Sequence, residues 1–455
     1  MAVPETSKPS LEDLDPDFRG VGISPVPRQR FEQYSHAWRA LRYRNFRLLF
    51  IGQGISLIGS WVTRVATSWL VYKLTHSALL LGWIGFTTAM PVFLLSPLAG
   101  VWVDKVHDKR RLTAITQVIL ALTSFALAGL ALSRHVTIAE IFLLNTVKGV
   151  ANAFDMPARQ TFVTRTVDNR EVLGNAIALN SSIVNIARLL GPSIAGAIMA
   201  FSSEGWCFLI DGISYIAVLW SLFAMHFTPG ERVAQRPVSV VQQMRQGWTY
   251  VAGTVPFRNI LTLFAILSLL GIPYTILMPI FASTVLHGGP QTLGLLLGAP
   301  GVGALLSGLS LALRKSSVGL VRSVALSSTL FGLALVAFGF SHQLYLSLIL
   351  LFFVGFGMMQ SMAASSTILQ TLTDEDMRGR VMSYYIMAMT GMLPFGTLLA
   401  GWIAHRYTAA IAVIFSGFAV LLATAWFWSQ YRTTQENAKS MMRNLGLLPS
   451  DRVSV

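Results

Sequence analysis

"GVWVDKVHDKRRL", residues 100–112, interrupts a long apolar run. The stretch ahead of it, "LGWIGFTTAMPVFLLSPLAG" (81–100), carries no charge. Then Asp104, Lys105, Asp108, Lys109, Arg110 and Arg111 crowd into a few positions, and a second apolar stretch starts at once. Charge held between two oily segments is the punctuation of a chain that turns around at a membrane surface: the loop is short and its charges keep it out of hydrocarbon.

Composition agrees. Of 455 residues 53% are hydrophobic and 12% charged, where soluble proteins carry about 25% charged residues. Mean hydropathy is positive. Apolar runs of about 18 residues or more can cross a bilayer as helices. Twelve are expected, at roughly 46–73, 79–103, 111–133, 137–158, 172–200, 205–227, 258–285, 291–313, 320–340, 343–370, 379–404 and 408–430. Several exceed 20 residues, which implies tilt. The fold expected is an all-α membrane protein.

Lysine and arginine set the orientation. Loops on the side of the N-terminus hold Lys105, Lys109, Arg110, Arg111, Arg159, Arg165, Arg170, Arg232, Arg236, Arg245, Arg258, Arg314, Lys315, Arg322, Arg378 and Arg380. The other side has Lys73, Arg134 and Arg406. Both termini are therefore expected in the cytoplasm, in a multi-pass protein of the cell (inner or plasma) membrane. The net charge of +14 is a topology signal and an attraction to anionic membrane lipid. Spread this way it argues against nucleic acid as a partner. A single cysteine, Cys207, excludes an internal disulfide and a cysteine-rich metal site. No cleavable signal peptide stands at the start.

Five regions follow: a polar tail (1–45) ending in an interfacial basic segment, "FEQYSHAWRALRYRNF"; a first bundle (46–227); a cytoplasmic linker (228–257); a second bundle (258–430); and a tail (431–455). Val241, Met244, Trp248 and Val251 give the linker helical spacing. An internal repeat supports the division. "REVLGNAIALNSSIVNIARLLGPSIAG" and "EDMRGRVMSYYIMAMTGMLPFGTLLAG" align with Gly174, Gly191 and Gly196 on Gly379, Gly396 and Gly401. Asp168 with Glu171, and Thr373 with Asp376, are expected to cap the two helices. Thr137 and Glu140 read as another capping box. Two pseudo-symmetric six-helix halves around a substrate are a transporter plan.

Gly100, Asp104, Lys105, Lys109 and Arg110 resemble the cytoplasmic signature of the major facilitator superfamily. The likeness departs where His107-Asp108 stand in place of a glycine, and in one added residue. Its second-half counterpart, "GLSLALRKSSVG", lacks the aspartate. "NAFDMPARQTFV", "GNAIALNSS", "ARLLGPSIAG", "GWCFLI" and "RGRVMS" are similar to the branch that contains the enterobactin exporter, the transmembrane secretion effectors. The resemblance spans about 40–430.

That resemblance implies a secondary active transporter and a cytoplasmic gate: Asp104 as a latch between halves, with Arg159 and the helix start near Gly379 as partners. For Lys109, Arg110 and Arg111 the plainer reading is a topology anchor. Gly191, Pro192 and Gly196 resemble a packing motif of exporters in the fifth helix, although ordinary close packing would use the same residues.

Charges at membrane depth cost a few kcal/mol and need a partner or a purpose. Arg64, Lys148 and Arg188 are candidates for the cavity, Arg64 alternatively snorkelling to the interface. Asp155 either pairs with Arg159 one turn on or carries a proton beside Arg159 and Lys148. Asp211 is the second coupling candidate, against local pairing. Met358, Met359 and Gln360 suit an adaptable apolar site or core packing. Trp61, Trp69, Trp83, Trp102, Trp206 and Trp402 read as interface belts.

With no Walker motif, ATP is not the direct energy source. The expectation is a proton-coupled exporter of a drug-like or siderophore-like molecule, monomeric, without cofactor or metal. A nontransporting receptor or lipid flippase on the same fold is the alternative. A membrane enzyme is disfavoured, because no His-Glu-x-x-His or Gly-x-Ser-x-Gly motif is present.

Overall fold

The computed structural model describes residues 38–106, 108–167, 170–226, 240–314 and 319–446. Among them the regular structure is helical, with no strand. In chain order the helices are α1 (Arg44–Thr75), α2 (Ala78–Lys105), α3 (Lys109–Leu132), α4 (Ile138–Arg165), α5 (Arg170–Phe201), α6 (Glu204–Ala224) and α7 (Val240–Gly253). Then come α8 (Val255–Val285), α9 (Pro290–Ala312), α10 (Leu320–Gly339), α11 (Leu344–Leu372), α12 (Glu375–Thr390), α13 (Leu393–Arg406), α14 (Ala409–Ser429) and α15 (Tyr431–Asn444). Counting α12 with α13, eleven of the described helices are long and apolar enough to cross a membrane. The helix expected as the fourth span, α4, falls short because it carries Glu140, Lys148, Asp155, Arg159 and Arg165.

Local chemistry sets the reversals. α1 ends as His76 turns left-handed, and the Ser77 hydroxyl accepts from the Leu80 N–H at 3.3 Å to start α2. At the charged knot Val106 is extended, and Asp108 Oδ1 accepts from the Arg111 N–H at 2.9 Å, capping α3. The Thr137–Glu140 capping box opens α4. One cap differs from expectation: Asp374, not Thr373, precedes α12, and it makes no capping bond. Thr373 is buried, and its hydroxyl turns back onto the Leu369 carbonyl at the end of α11. Asp168 lies outside the described residues.

The helices pack in two sets. α6 lies against α1 and α3, α4 against α2 and α3, and α5 against α1; α11 lies against α9 and α10, and α14 against α10. The sets meet where α2 crosses α13 and α5 crosses α9. Both crossings are glycine on glycine. A Cβ added at Gly82 would stand 2.8 Å from the Thr397 carbonyl oxygen, and one at Gly401 2.8 Å from that of Ala78. At Gly196 it would meet the Pro290 oxygen at 2.9 Å, and at Gly294 the Pro192 oxygen at 2.8 Å. Each partner oxygen sits four residues before the facing glycine, so the two crossings repeat one geometry.

Both crossings lie toward the face holding the α1–α2 and α13–α14 turns. The other face, here the basic face, gathers the start of α1 and the end of α6, where Asn45 Nδ2 donates to the His226 carbonyl at 2.7 Å. Near the helix starts of α5 and α12 there, a Cβ at Gly174 or Gly379 would meet nothing within 4 Å.

The repeat is imperfect in one respect. α1 and α5 run unbroken for 32 residues each. Beyond Ile266, α8 passes through a π turn at Leu267–Gly271, a 3-10 stretch at Ile272–Leu277 and a second π turn at Phe281–Val285. Gly391 and Met392 separate α12 from α13.

The linker helix α7 docks on α12. Tyr384 donates its hydroxyl to the Met244 carbonyl at 2.8 Å, Arg380 Nη1 donates to Gln246 Oε1 at 2.9 Å, and the Trp248 and Tyr384 rings lie 5.8 Å apart. Tyr250 donates to Asp374 Oδ2 at 3.1 Å. Burial and the Asp374 carboxylate raise the Tyr250 phenol above its ordinary range. The expected interfacial segment before α1 is partly inserted: Ala40 and Phe46 are buried, and the Ala40 N–H reaches Asn175 Oδ1 at 3.0 Å.

Candidate functional site

Six Asp, Lys or Arg side chains lie well inside long helices: Arg64 on α1; Lys148, Asp155 and Arg159 on α4; Arg188 on α5; Asp211 on α6. All belong to the first set of helices.

Four of them form two buried pairs. Asp155 has zero exposure and receives Thr116 Oγ1 at 2.9 Å, Gln117 Nε2 at 2.8 Å and Arg159 one turn along α4. Three donors hold this carboxylate between α3 and α4. Lys148 Nζ donates to Asp211 Oδ2 at 3.0 Å, and Ser124 Oγ donates to the same oxygen at 2.8 Å. Asp211 Oδ1 has no hydrogen-bond partner. Lys148 thus differs from its expected place. It neither flanks Asp155 nor faces a cavity: it is 6% exposed and reaches across to α6.

Arg64 and Arg188 have no carboxylate partner. Their guanidinium carbons lie 4.5 and 5.7 Å from the centroid of the same ring, that of Trp61. Cation–π contact of this kind contributes about 0.5–2 kcal/mol. Gly191 makes room for it, since any Cβ there would collide with the Trp61 Cβ. Arg188 precedes Gly191 by one turn of α5, and Arg64 follows Trp61 by one turn of α1. Trp61 therefore stands mid-helix as a shared platform, not in an interface belt. Arg64 is exposed, Arg188 half-buried, and Arg188 Nε is buried without a partner. Tyr274, from the 3-10 stretch of α8, lies within electrostatic reach of Arg188. The pair thus borders both sets of helices.

The second-set candidates turn inward. Gln360 Oε1 accepts from Ser307 at 2.9 Å and Ser310 at 3.1 Å, and its Nε2 donates to Ser323 at 3.2 Å. These bonds tie α11 to α9 and α10, so Gln360 is a packing residue here. Met358 packs on the main apolar core and Met359 is half-buried.

Around the charged knot, Arg110 Nη2 donates to the Phe223 carbonyl at 2.7 Å and its carbon sits 5.4 Å from that residue's ring. It ties α3 to α6 within one set. Lys109 is the first residue of α3. The guanidinium of Arg159 goes to Asp155. Gly379 is exposed. The side chains of Asp104 and Lys105 and the surroundings of Gly100 lie outside the described residues. Pro192, inside α5, supplies the carbonyl that covers Gly294. Among the described residues no group of His, Cys, Asp or Glu is placed to hold a metal.

The family described as transmembrane secretion effector matches residues 35–451. The staphyloferrin A transporter of Staphylococcus aureus (strain NCTC 8325 / PS 47) is 27% identical over 387 residues, covering 84% of this chain and 95% of its own. The enterobactin exporter EntS of Escherichia coli O1:K1 / APEC is 22% identical over 378 residues, 83% and 89% of the two chains. A bacterial homologue of the human lysosomal transporter Spinster, solved inward-facing and unoccupied, superposes with a TM-score of 0.65. It has 12% identity and covers 88% of this chain and 98% of that one.

Proposed function

We propose, for a chain that belongs to the transmembrane secretion effector family of major facilitator transporters, that it exports an organic molecule of siderophore or drug type by proton-driven alternating access. It is a multi-pass membrane transporter, not an enzyme, and its relatives carry siderophores and drugs. One observation carries the reading. Two glycine crossings of one geometry join the sets of helices on one face, while on the other Gly174 and Gly379 have free space where a Cβ would stand.

In this reading α4 is the twelfth span. Its hydropathy is low because two of its charges, Lys148 and Asp155, are answered inside the protein, by Asp211 and by Arg159. The halves are six helices each, α7 lies in the linker between them, and the basic face is cytoplasmic. The described state is then open to the cytoplasm, ready to load cargo for export.

Coupling falls to Asp155. Three donors occupy its carboxylate oxygens, so a coupling role requires one of them to leave. The reading assigns that departure to Arg159, which lies one turn along α4 toward the basic face. Asp155→Asn is expected to abolish accumulation driven by a pH gradient in proteoliposomes while sparing downhill exchange. Full gradient-driven accumulation by that variant would sink the assignment. The bare Oδ1 of Asp211 gives a second acid a free lone pair, and Asp211→Asn in the same assay separates the two.

A further inference from the structure

Four cations and two carboxylates lie at membrane depth among the described residues. Lys148 and Arg159 answer Asp211 and Asp155. Arg64 and Arg188 are left over, and neither makes a salt bridge or hydrogen bond. Arginine cannot shed its charge in a protein. Two fixed positive charges at this depth cost a few kcal/mol each unless something answers them.

Snorkelling does not account for Arg64. Its guanidinium folds back over Trp61, three residues earlier, toward the middle of α1 and away from the nearer face. Helix packing does not account for Arg188, whose Nε is buried and unbonded. The two guanidiniums converge on one indole, so they lie no farther apart than the sum of their distances to it. Each keeps a fork of N–H donors matched to paired anionic oxygens. Tyr274, from the other set of helices, lies within electrostatic reach of Arg188.

We propose that Arg64 and Arg188, held on the Trp61 platform, form an anion site, and that the cargo is an organic molecule with at least two carboxylate or phosphate groups. This rests on the transporter reading and narrows its substrate class. It disfavours lipophilic cations, which the two charges repel. Trp61 offers an apolar face to the carbon skeleton between the acidic groups. An anion bridging the site and Tyr274 would also draw the two halves together, which is how cargo favours closure.

The test is binding by the purified, detergent-solubilised full chain, read as thermal stabilisation against concentration. The probes are citrate for carboxylate, phenyl phosphate for phosphate, and tetraphenylphosphonium as a cation. At least one anion is expected to stabilise the wild type saturably. Arg64→Gln and Arg188→Gln should each weaken it about tenfold to a hundredfold, and the double variant should abolish it. Arg188→Lys should lose less than Arg188→Gln. Arg432→Gln, exposed on α15, should change nothing. Whichever anion binds better identifies the acidic group. Each variant's unfolding temperature without ligand shows that it folds and is the reference for its shift, and Arg188→Glu adds a sign test by favouring the cation.

Failure of both anions to stabilise the wild type, or a shift that survives the double substitution, overturns the proposal. So does stabilisation by tetraphenylphosphonium that ignores both arginines. None of these results touches the transport reading, which flux measures separately. Anion binding without gradient-driven flux would do the reverse.

Discussion

At the scale of single residues the interior is governed by pairing. Asp211 has no exposure and Lys148 almost none, so removing one partner strands the other in a medium that cannot solvate it. Such a break costs about 3–5 kcal/mol, whereas replacing both partners by apolar side chains is often close to neutral. Lys148→Met alone should therefore lower the thermal unfolding temperature in detergent much more than Lys148→Met combined with Asp211→Leu. Equal losses would mean that the pair is not the stabilising unit. The same positions show what could be read in advance. Arg64, Lys148, Asp155, Arg188 and Asp211 stand out as charges in apolar runs, and the reach from Asp155 to Arg159 is one helical turn. The Lys148–Asp211 bond spans 63 positions, a distance no periodicity encodes. Trp61 misleads for a related reason. Its place in the chain looks like that of the belt residues. The room it occupies is left by Gly191, on another helix.

At the scale of helices, close approach is the device. A side chain at Gly82 or Gly401 cannot fit while the facing backbone is in contact. Overpacking of this kind costs about 1–3 kcal/mol, and about 1.4 kcal/mol is a tenfold change in a two-state ratio. Gly82→Val should therefore shift the population away from the described state and depress transport. Spin labels at Ser77 and Thr408, beside the α2–α13 crossing, should report a longer distance in the variant than in the wild type. An unchanged distance distribution would count against the crossing as a gate. A second expectation concerns α7. Trp248→Ala removes the ring packed on Tyr384 and should speed proteolysis within 240–253, leaving α12 itself protected. Helix positions were legible because apolar length and charged ends mark them. The breaks were not. Leu267–Gly271 reads as ordinary apolar helix, and its π turn forms where Gly271 packs against Phe331 and Val420.

At the scale of the whole molecule, the chain should present His287 and His342 to the outside and residues 232–245 to the cytoplasm. Single cysteines at the two histidines should label with an impermeant maleimide on intact cells in a Cys207→Ser background. Cys207 is itself fully buried, so even the parent should label weakly. The reverse pattern would invert the orientation argued from arginine. The two sets of helices also differ in kind. All six deep charges sit on α1, α4, α5 and α6, whose helices run continuous. The irregular helix α8 and the broken pair α12–α13 belong to the other set, whose spans carry no charge in mid-helix. That asymmetry has a genetic consequence. Variants selected for altered cargo should accumulate in the first six helices, and suppressors of a stalled transporter in the last six. Combined across the halves, their effects on affinity and on turnover should multiply as independent factors.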